Sequence, residues 1–238
     1  MANTKERRNM LRQQLVTGLI AALFLLVESG ASWAEDDAKN AQEVVDGAQK
    51  TLENFVADPN MTWFRDHVKD AKALFIVPEL LRAGFMFGGS GGTGVLLARD
   101  EKTGEWSQPA FYTMGSVSFG LQIGAESSEV VLMVMTQRGL DSMLTTSFKL
   151  GGDVSVAAGP VGAGAKAQTS DILSFSRSKG IYGGLSLEGA VIKVRDSLSE
   201  AYYGKPVSPR AILITRDVSN AQAAPLVKTV TKVAGGDE

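Results

Sequence analysis

Val117-Ser118-Phe119-Gly120-Leu121-Gln122-Ile123-Gly124-Ala125 alternates without a break. Val117, Phe119, Leu121, Ile123 and Ala125 point one way; Ser118, Gly120, Gln122 and Gly124 point the other. A period of two is the side-chain repeat of an extended strand, and apolar-in, polar-out alternation belongs to an antiparallel sheet with one face on a core. The same repeat returns in Ile181, Gly183, Leu185 and Leu187 against Tyr182, Gly184, Ser186 and Glu188, and in Val154 and Val156 against Asp153 and Ser155. Gly94 to Arg99 and Trp106 to Tyr112 flank Asp100-Glu101-Lys102-Thr103-Gly104, which reads as a hairpin loop. Val130 to Met135 is apolar throughout and reads as a central strand or a buried segment. Of the 26 glycines, 21 fall between Gly84 and Gly204. That density disfavours long helices and suits turns, bulges and close strand packing.

Helices flank this sheet on both sides in sequence. Ala38, Ala41, Val44, Val45, Ala48, Leu52, Phe55 and Val56 recur at spacings of three and four, with Lys39, Glu43, Asp46, Lys50 and Glu53 between them. This is an amphipathic helix, and its mixed-sign polar face favours packing on a core over lying on a membrane. Asp58-Pro59-Asn60 ends it, and Asn60 is placed to cap a second helix from Met61 to Lys72. Ala73 to Val77 reads as a short strand and Glu79 to Ala83 as a helical turn. Thr136 is placed to cap a helix carrying Leu140, Met143 and Leu144. Asp196 to Tyr203 forms another, stopped at Gly204 with Pro206 beyond. Residues 219–238 read as a weakly periodic tail with a mobile end. The fold class expected is α+β: one antiparallel, strongly curved or barrel-like sheet with flanking helices.

The N-terminus has three parts. Lys5, Arg7, Arg8 and Arg12 form a basic region, Leu15 to Val27 carries no charge, and Glu28 to Ala34 presents Ser32 and Ala34 at the −3 and −1 positions of a cut after Ala34. That is the pattern of a secretory signal peptide, and a run of 13 is short of the roughly 20 apolar residues of a spanning helix. Glu6-Arg7-Arg8-Asn9-Met10-Leu11-Arg12 also resembles a twin-arginine signal, so both export routes stay open. A periplasmic location follows as the expectation, with segments 1–34 (signal), 35–60 (helix), 61–218 (main domain) and 219–238 (tail). The chain has no cysteine, which excludes disulfides and a lipid anchor on a processed cysteine. Removing residues 1–34 takes away four basic and two acidic side chains and leaves 20 basic and 24 acidic, a net charge of −4. A nucleic-acid binder would show a basic excess instead.

Little in the sequence carries catalytic or metal chemistry. His67 is the only histidine, and no H-E-x-x-H, C-x-x-C or G-x-S-x-G occurs. Gly89, Gly91 and Gly94 spell G-x-G-x-x-G. The residues that follow, Val95 to Arg99, read as strand where a dinucleotide site needs a helix. The run Gly88 to Gly94 therefore reads as a flexible connection, with amides able to cradle a phosphate. No cofactor and no catalytic residue is assigned. A carboxylate-dependent hydrolase, with pairs such as Asp196 and Glu200, is the minor alternative.

Several ordered blocks together resemble one family. They are Ala71 to Phe85 (AKALFIVPELLRAGF), Gly94 to Arg99 (GVLLAR), Trp106 to Pro109, Phe119 to Ala125 (FGLQIGA), Asp153 to Gly164 (DVSVAAGPVGAG), Phe175 to Gly189 (FSRSKGIYGGLSLEG) and Ala201 to Gly204 (AYYG). Spanning roughly Trp63 to Ile214, they resemble the SYLF domain. The resemblance implies lipid binding, notably of phosphoinositides and other anionic lipids in eukaryotic members, actin binding in some fungal members, and exported stand-alone domains in bacteria. In a periplasm, anionic phospholipids such as phosphatidylglycerol, cardiolipin or phosphatidic acid replace phosphoinositides as the expected partners, and actin is absent. A structural protein that binds another envelope protein is the alternative. Head groups need cations, each contributing about 1 kcal/mol near an anionic surface. The candidate lipid-binding residues are Lys69, Lys72 and Arg82 around the first strand, Arg177 and Lys179 after Phe175, and Lys193 and Arg195 beyond. Phe85 and Phe87 are the candidate membrane-contact loop.

Overall fold

The computed structural model describes residues 36–84, 87–119, 124–162, 169–178, 181–184 and 187–235. Helix α1 covers residues 36–57. Ala41, Val45, Ala48, Leu52 and Phe55 are fully buried along one stripe of it, so the helix is part of the core. Asp58, rather than Asn60, caps the turn that follows: its carboxylate accepts the N–H of Asn60 at 2.8 Å, at the start of a 3₁₀ turn over Pro59–Met61. Helix α2 is only Thr62–His67, and a second 3₁₀ turn over Val68–Asp70 breaks the longer helix expected up to Lys72. His67 stacks on Trp63 with ring centroids 4.0 Å apart, and its Nδ1 lies 2.8 Å from the Trp63 carbonyl oxygen, a local structural role.

Among the described residues nine strands follow: β1 Ala73–Gly84, β2 Phe87–Ala98, β3 Ala110–Phe119, β4 Gly124–Val134, β5 Ser147–Lys149, β6 Val156–Ala158, β7 Ile172–Ser178, β8 Ile181–Gly184 and β9 Val191–Val194. They form one sheet in the order β5-β9-β3-β2-β1-β4-β7-β6, with β8 also paired to β7. All pairs are antiparallel except β6 with β7. The sheet curls into a half-barrel with helices around it, the α+β architecture expected from the alternation.

Three local readings are corrected. Glu79 to Ala83 is not a helical turn; β1 runs on through it. The register gains one residue in β1 against both neighbours, between Ile76 and Leu81 facing β2 and between Val77 and Leu80 facing β4. This β-bulge lets Pro78, which has no N–H to donate, sit in a central strand. The run Gly88 to Gly94 is not a flexible connection, since it lies inside β2, paired along its length with β3. Its amides serve the sheet and form no phosphate nest. A Cβ at Gly94 would stand 2.4 Å from the Ile76 carbonyl oxygen, and one at Gly92 2.4 Å from that of Glu79, so glycine lets β2 pass close to the bulge. The alternation quoted from Val117 to Ala125 divides between the end of β3 and the start of β4, and residues 120–123 lie outside the described ones.

Both faces of the sheet's proximal half are buried. Leu74, Ile76, Val95, Val131 and Phe175 face one core, closed by α1, α2, α4 (Asp196–Tyr203) and α6 (Ala224–Gly235). Phe75, Leu96, Tyr112 and Leu132 face the other, closed by α3 (Gln137–Met143), α5 (Pro209–Leu213) and β5. Thr136 caps α3, its hydroxyl accepting the Gly139 N–H at 3.1 Å. Gly204, at φ 69°, ends α4 in the left-handed conformation that glycine adopts without strain. The weakly periodic tail is α6, with Leu226, Val230 and Ala234 buried in the first core.

Candidate functional site

Beyond the bulge, β1 to β4 extend past the helices. Strand alternation continues there, so one face carries Leu81 and Ala83 of β1, Val117 of β3 and Ala125 of β4. Across the strands, Leu81 is opposite Gly91, Gly91 opposite Gly115, and Gly115 opposite Val191 of β9. The row is therefore bulky at its ends and bare in the middle. Val117 is 82% exposed, Leu81 54% and Val191 42%; among the described residues these are three of the four exposed large apolar side chains. The opposite face of the same strands is polar, with Ser90 and Ser116 hydroxyls 2.8 Å apart and Arg82 paired across the strands with Glu126. The distal sheet is thus amphipathic, and its apolar face is open.

Two of the cations singled out in the sequence border this shelf. Lys193 follows Val191 by two residues in β9, on the same face, and is exposed. Arg195 continues the alternation. Its backbone N–H donates to the Phe111 carbonyl at 2.9 Å, and its Nη1 donates to the Thr93 hydroxyl at 3.0 Å. The guanidinium is thereby fixed against β2. Beside it, where α1 crosses the bulge, a groove of about 420 Å³ opens. Val44, Pro78, Leu81 and Leu198 give it apolar walls, Gly91 and Gly92 line it on the sheet side, and Arg195, Glu43 and Glu79 are its charged groups.

The remaining predicted residues lie elsewhere. Lys69 and Lys72 sit at the opposite end of β1, about 30 Å from Arg82 at the rise of an extended strand. They share a notch of about 250 Å³ with Arg99 and Glu101. Arg99 donates to the Lys69 carbonyl, and Lys72 is ion-paired with Glu101. Arg177 is held by Glu129 at 2.8 Å, and Glu129 also accepts from Thr51 and Asn54 of α1, which makes this an internal clasp between helix and sheet. Lys179 and Phe85 lie outside the described residues. Phe87 opens β2, and its side chain is likewise outside them.

Sequence reasoning missed Arg99, although the GVLLAR block and the adjoining hairpin loop pointed to it. It also missed the exposure of Leu81, Val117 and Val191, because alternation identifies a face without saying whether anything covers it.

Among the described residues, no group of His, Asp and Glu side chains could hold a metal ion, and no helix is long and apolar enough to cross a membrane. Asp171 is a nearly buried carboxylate with a full set of donors. It accepts from the hydroxyls of Thr136 at 2.6 Å and Ser155 at 2.7 Å and from the Ser155 N–H at 3.0 Å, bonds that hold its carboxyl below the ordinary range. It ties α3 to β6 and β7, far from the shelf.

The family described as "Ysc84: Las17-binding protein actin regulator" matches residues 115–233. Among curated proteins, the chain is 34% identical to Protein YSC84 of Saccharomyces cerevisiae over 195 residues, which is 76% of this chain and 41% of that protein. It is 36% identical to LAS seventeen-binding protein 3 of the same yeast over 183 residues, 71% of this chain and 39% of that one. SH3 domain-containing YSC84-like protein 1 of Bos taurus is 28% identical over 169 residues, 68% and 49% of the two chains. The chain therefore spans about two-fifths of the length of the yeast relatives it matches.

Proposed function

The chain belongs to the Ysc84 (SYLF-domain) family, and on that premise we propose that it is a non-catalytic domain that binds phospholipid surfaces peripherally, in the periplasm, with a preference for anionic head groups. The observation that carries the reading is the open apolar shelf of Leu81, Val117 and Val191 with Lys193 and Arg195 on its border. Exposed apolar side chains beside cations fit the boundary between acyl chains and phosphates. Seating the three apolar side chains contributes about 3 kcal/mol at most, scaled from the burial of whole side chains, and the two cations about 1 kcal/mol each. A total of about 5 kcal/mol corresponds to a dissociation constant of roughly 10⁻⁴ M, a reversible association.

The test is co-sedimentation of the purified protein with liposomes of graded phosphatidylglycerol and cardiolipin content at two salt concentrations. Binding should grow with anionic lipid and fall with salt. Val117→Asp should abolish it while leaving the thermal midpoint within about 2 °C of wild type, as an exposed substitution does. No binding to any composition would overturn the reading. It would move the weight to a protein partner on the same shelf, which the Las17-binding name of the yeast relative favours.

A further inference from the structure

We infer that the groove between α1 and the β1 bulge holds the head group of a single zwitterionic phospholipid, its phosphate on Arg195 and its ammonium on Glu43 and Glu79. This rests on the lipid reading of the adjoining shelf: the anionic preference belongs to the bilayer surface that the shelf meets, and the groove, with its own lining of Glu43, Glu79 and Arg195, takes up one lipid from that surface. The charges decide the class. One guanidinium and two carboxylates line the groove, a combination that leaves a purely anionic head group facing net negative charge and a purely cationic amphiphile without a use for the arginine.

The guanidinium is pre-positioned. Arg195 is held at its backbone by Phe111 and at Nη1 by Thr93, so little side-chain freedom remains to be lost when a phosphate arrives. The carboxylates are available. Glu43 is exposed with only a 3.9 Å helix-surface partner in Lys39, and Glu79 is exposed and accepts the Ser127 hydroxyl at 3.3 Å. An ammonium can take up both without breaking anything the fold depends on.

The lipid's tail has a path as well. Pro78, Leu81 and Val44 wall the groove, and Gly91 opens it toward the shelf. A Cβ on Gly91 would meet nothing within 4 Å, so the space above it is vacant of the protein's own atoms. From there, the bare Gly91–Gly115 middle of the cross-strand row lies between Leu81 and Val191. At about 420 Å³ the groove is in the range of small-ligand sites.

The experiment is calorimetric titration of the purified protein with short-chain phosphatidylethanolamine below its micelle concentration, against phosphatidylglycerol with the same chains. Phosphatidylethanolamine should bind about tenfold more tightly, the worth of one charge-assisted contact. Glu79→Gln should erase most of that preference by weakening phosphatidylethanolamine alone, with an unchanged thermal midpoint. Arg195→Gln should weaken both lipids about tenfold. Phosphatidylglycerol binding as tightly as phosphatidylethanolamine, or Glu79→Gln weakening both equally, would overturn the assignment. Liposome binding without monomer binding would overturn the groove and leave the surface reading standing. Monomer binding without liposome binding would do the reverse.

Discussion

Two alanine substitutions about 10 Å apart along one strand, at the roughly 3.3 Å rise per residue, should behave in opposite ways. Gly91 and Gly94 belong to one glycine-rich run, G-G-S-G-G-T-G, and a flexible connection would treat them alike. In β2 they differ. A Cβ at Gly94 would stand 2.4 Å from the Ile76 carbonyl oxygen and 2.8 Å from Val77 Cγ2, whereas one at Gly91 meets nothing within 4 Å. The obstacle at Gly94 is backbone, and it cannot swing aside. The bulged segment is pinned from above as well, because α1 approaches so closely that a Cβ at Gly47 would lie 2.9 Å from Pro78 Cβ. Overpacking against so rigid a neighbour falls at the upper end of its usual range, about 3 kcal/mol. In a domain of this size that lowers the thermal midpoint by about 6–12 °C. Gly91→Ala, free of contact, should be neutral or stabilise by about 0.5 kcal/mol through the unfolded chain's lost freedom. Thermal melts give the midpoints, and urea melts with an unchanged m-value confirm that the native state, and not its compactness, is what changed. Equal shifts for the two variants, or a Gly94→Ala midpoint within 1 °C of wild type, would refute the passage of β2 beneath the bulge.

Other perturbations probe the clasps that hold helices to the sheet. Glu129→Ala removes the Arg177 ion pair together with the hydrogen bonds that Thr51 and Asn54 donate to this carboxylate, and should cost about 3 kcal/mol. The Glu129→Ala, Arg177→Ala pair should cost less than the sum in a double-mutant cycle. Leu226→Ala should cost about 3 kcal/mol because α6 is core; a neutral result in denaturation would detach that helix from the domain. Asp171 is stabilised as the carboxylate in the folded state, so its folded pKa lies below the 3.8 of the unfolded chain. Its contribution is present above that value and is lost as pH falls through the lower folded one. Asp171→Asn should therefore flatten the decline in stability below about pH 4, read as urea midpoints at pH 6 and pH 3.

The sequence made visible what depends on local pattern. The α1 stripe, the Thr136 cap, the Gly204 stop and the Asp100 to Gly104 hairpin each follow from a short-range rule, and each is present. What stayed hidden depends on pairing across the sheet. Pro78 reads as a strand end until β2 and β4 are seen to share one bulge opposite it. The seven cations gave no hint that Lys72 and Arg82 stand at opposite ends of one strand, or that Arg177 is consumed by Glu129. Of the described cations, only Lys193 and Arg195 are carried to the apolar shelf, because β9 pairs with β3.

The bulge also determines that the shelf exists. In β1, Ile76 faces the first core and Val77 the second; with strict alternation Leu80 would return to the first face and Leu81 to the second. The extra residue reverses that parity for everything after it. Leu80 is instead buried in the second core, Leu81 and Ala83 emerge on the open face, and Arg82 points to the polar side opposite Glu126. Without the bulge the shelf would carry Leu80, Arg82 and Gly84, and Leu81 would lie among serines. The same irregularity supplies Pro78 and Glu79 to the groove and demands glycine at positions 92 and 94 of the neighbouring strand. One inserted residue thus separates the sheet into a proximal half buried on both faces, which holds the fold together, and a distal half with one apolar face left open, where binding can occur without unfolding anything.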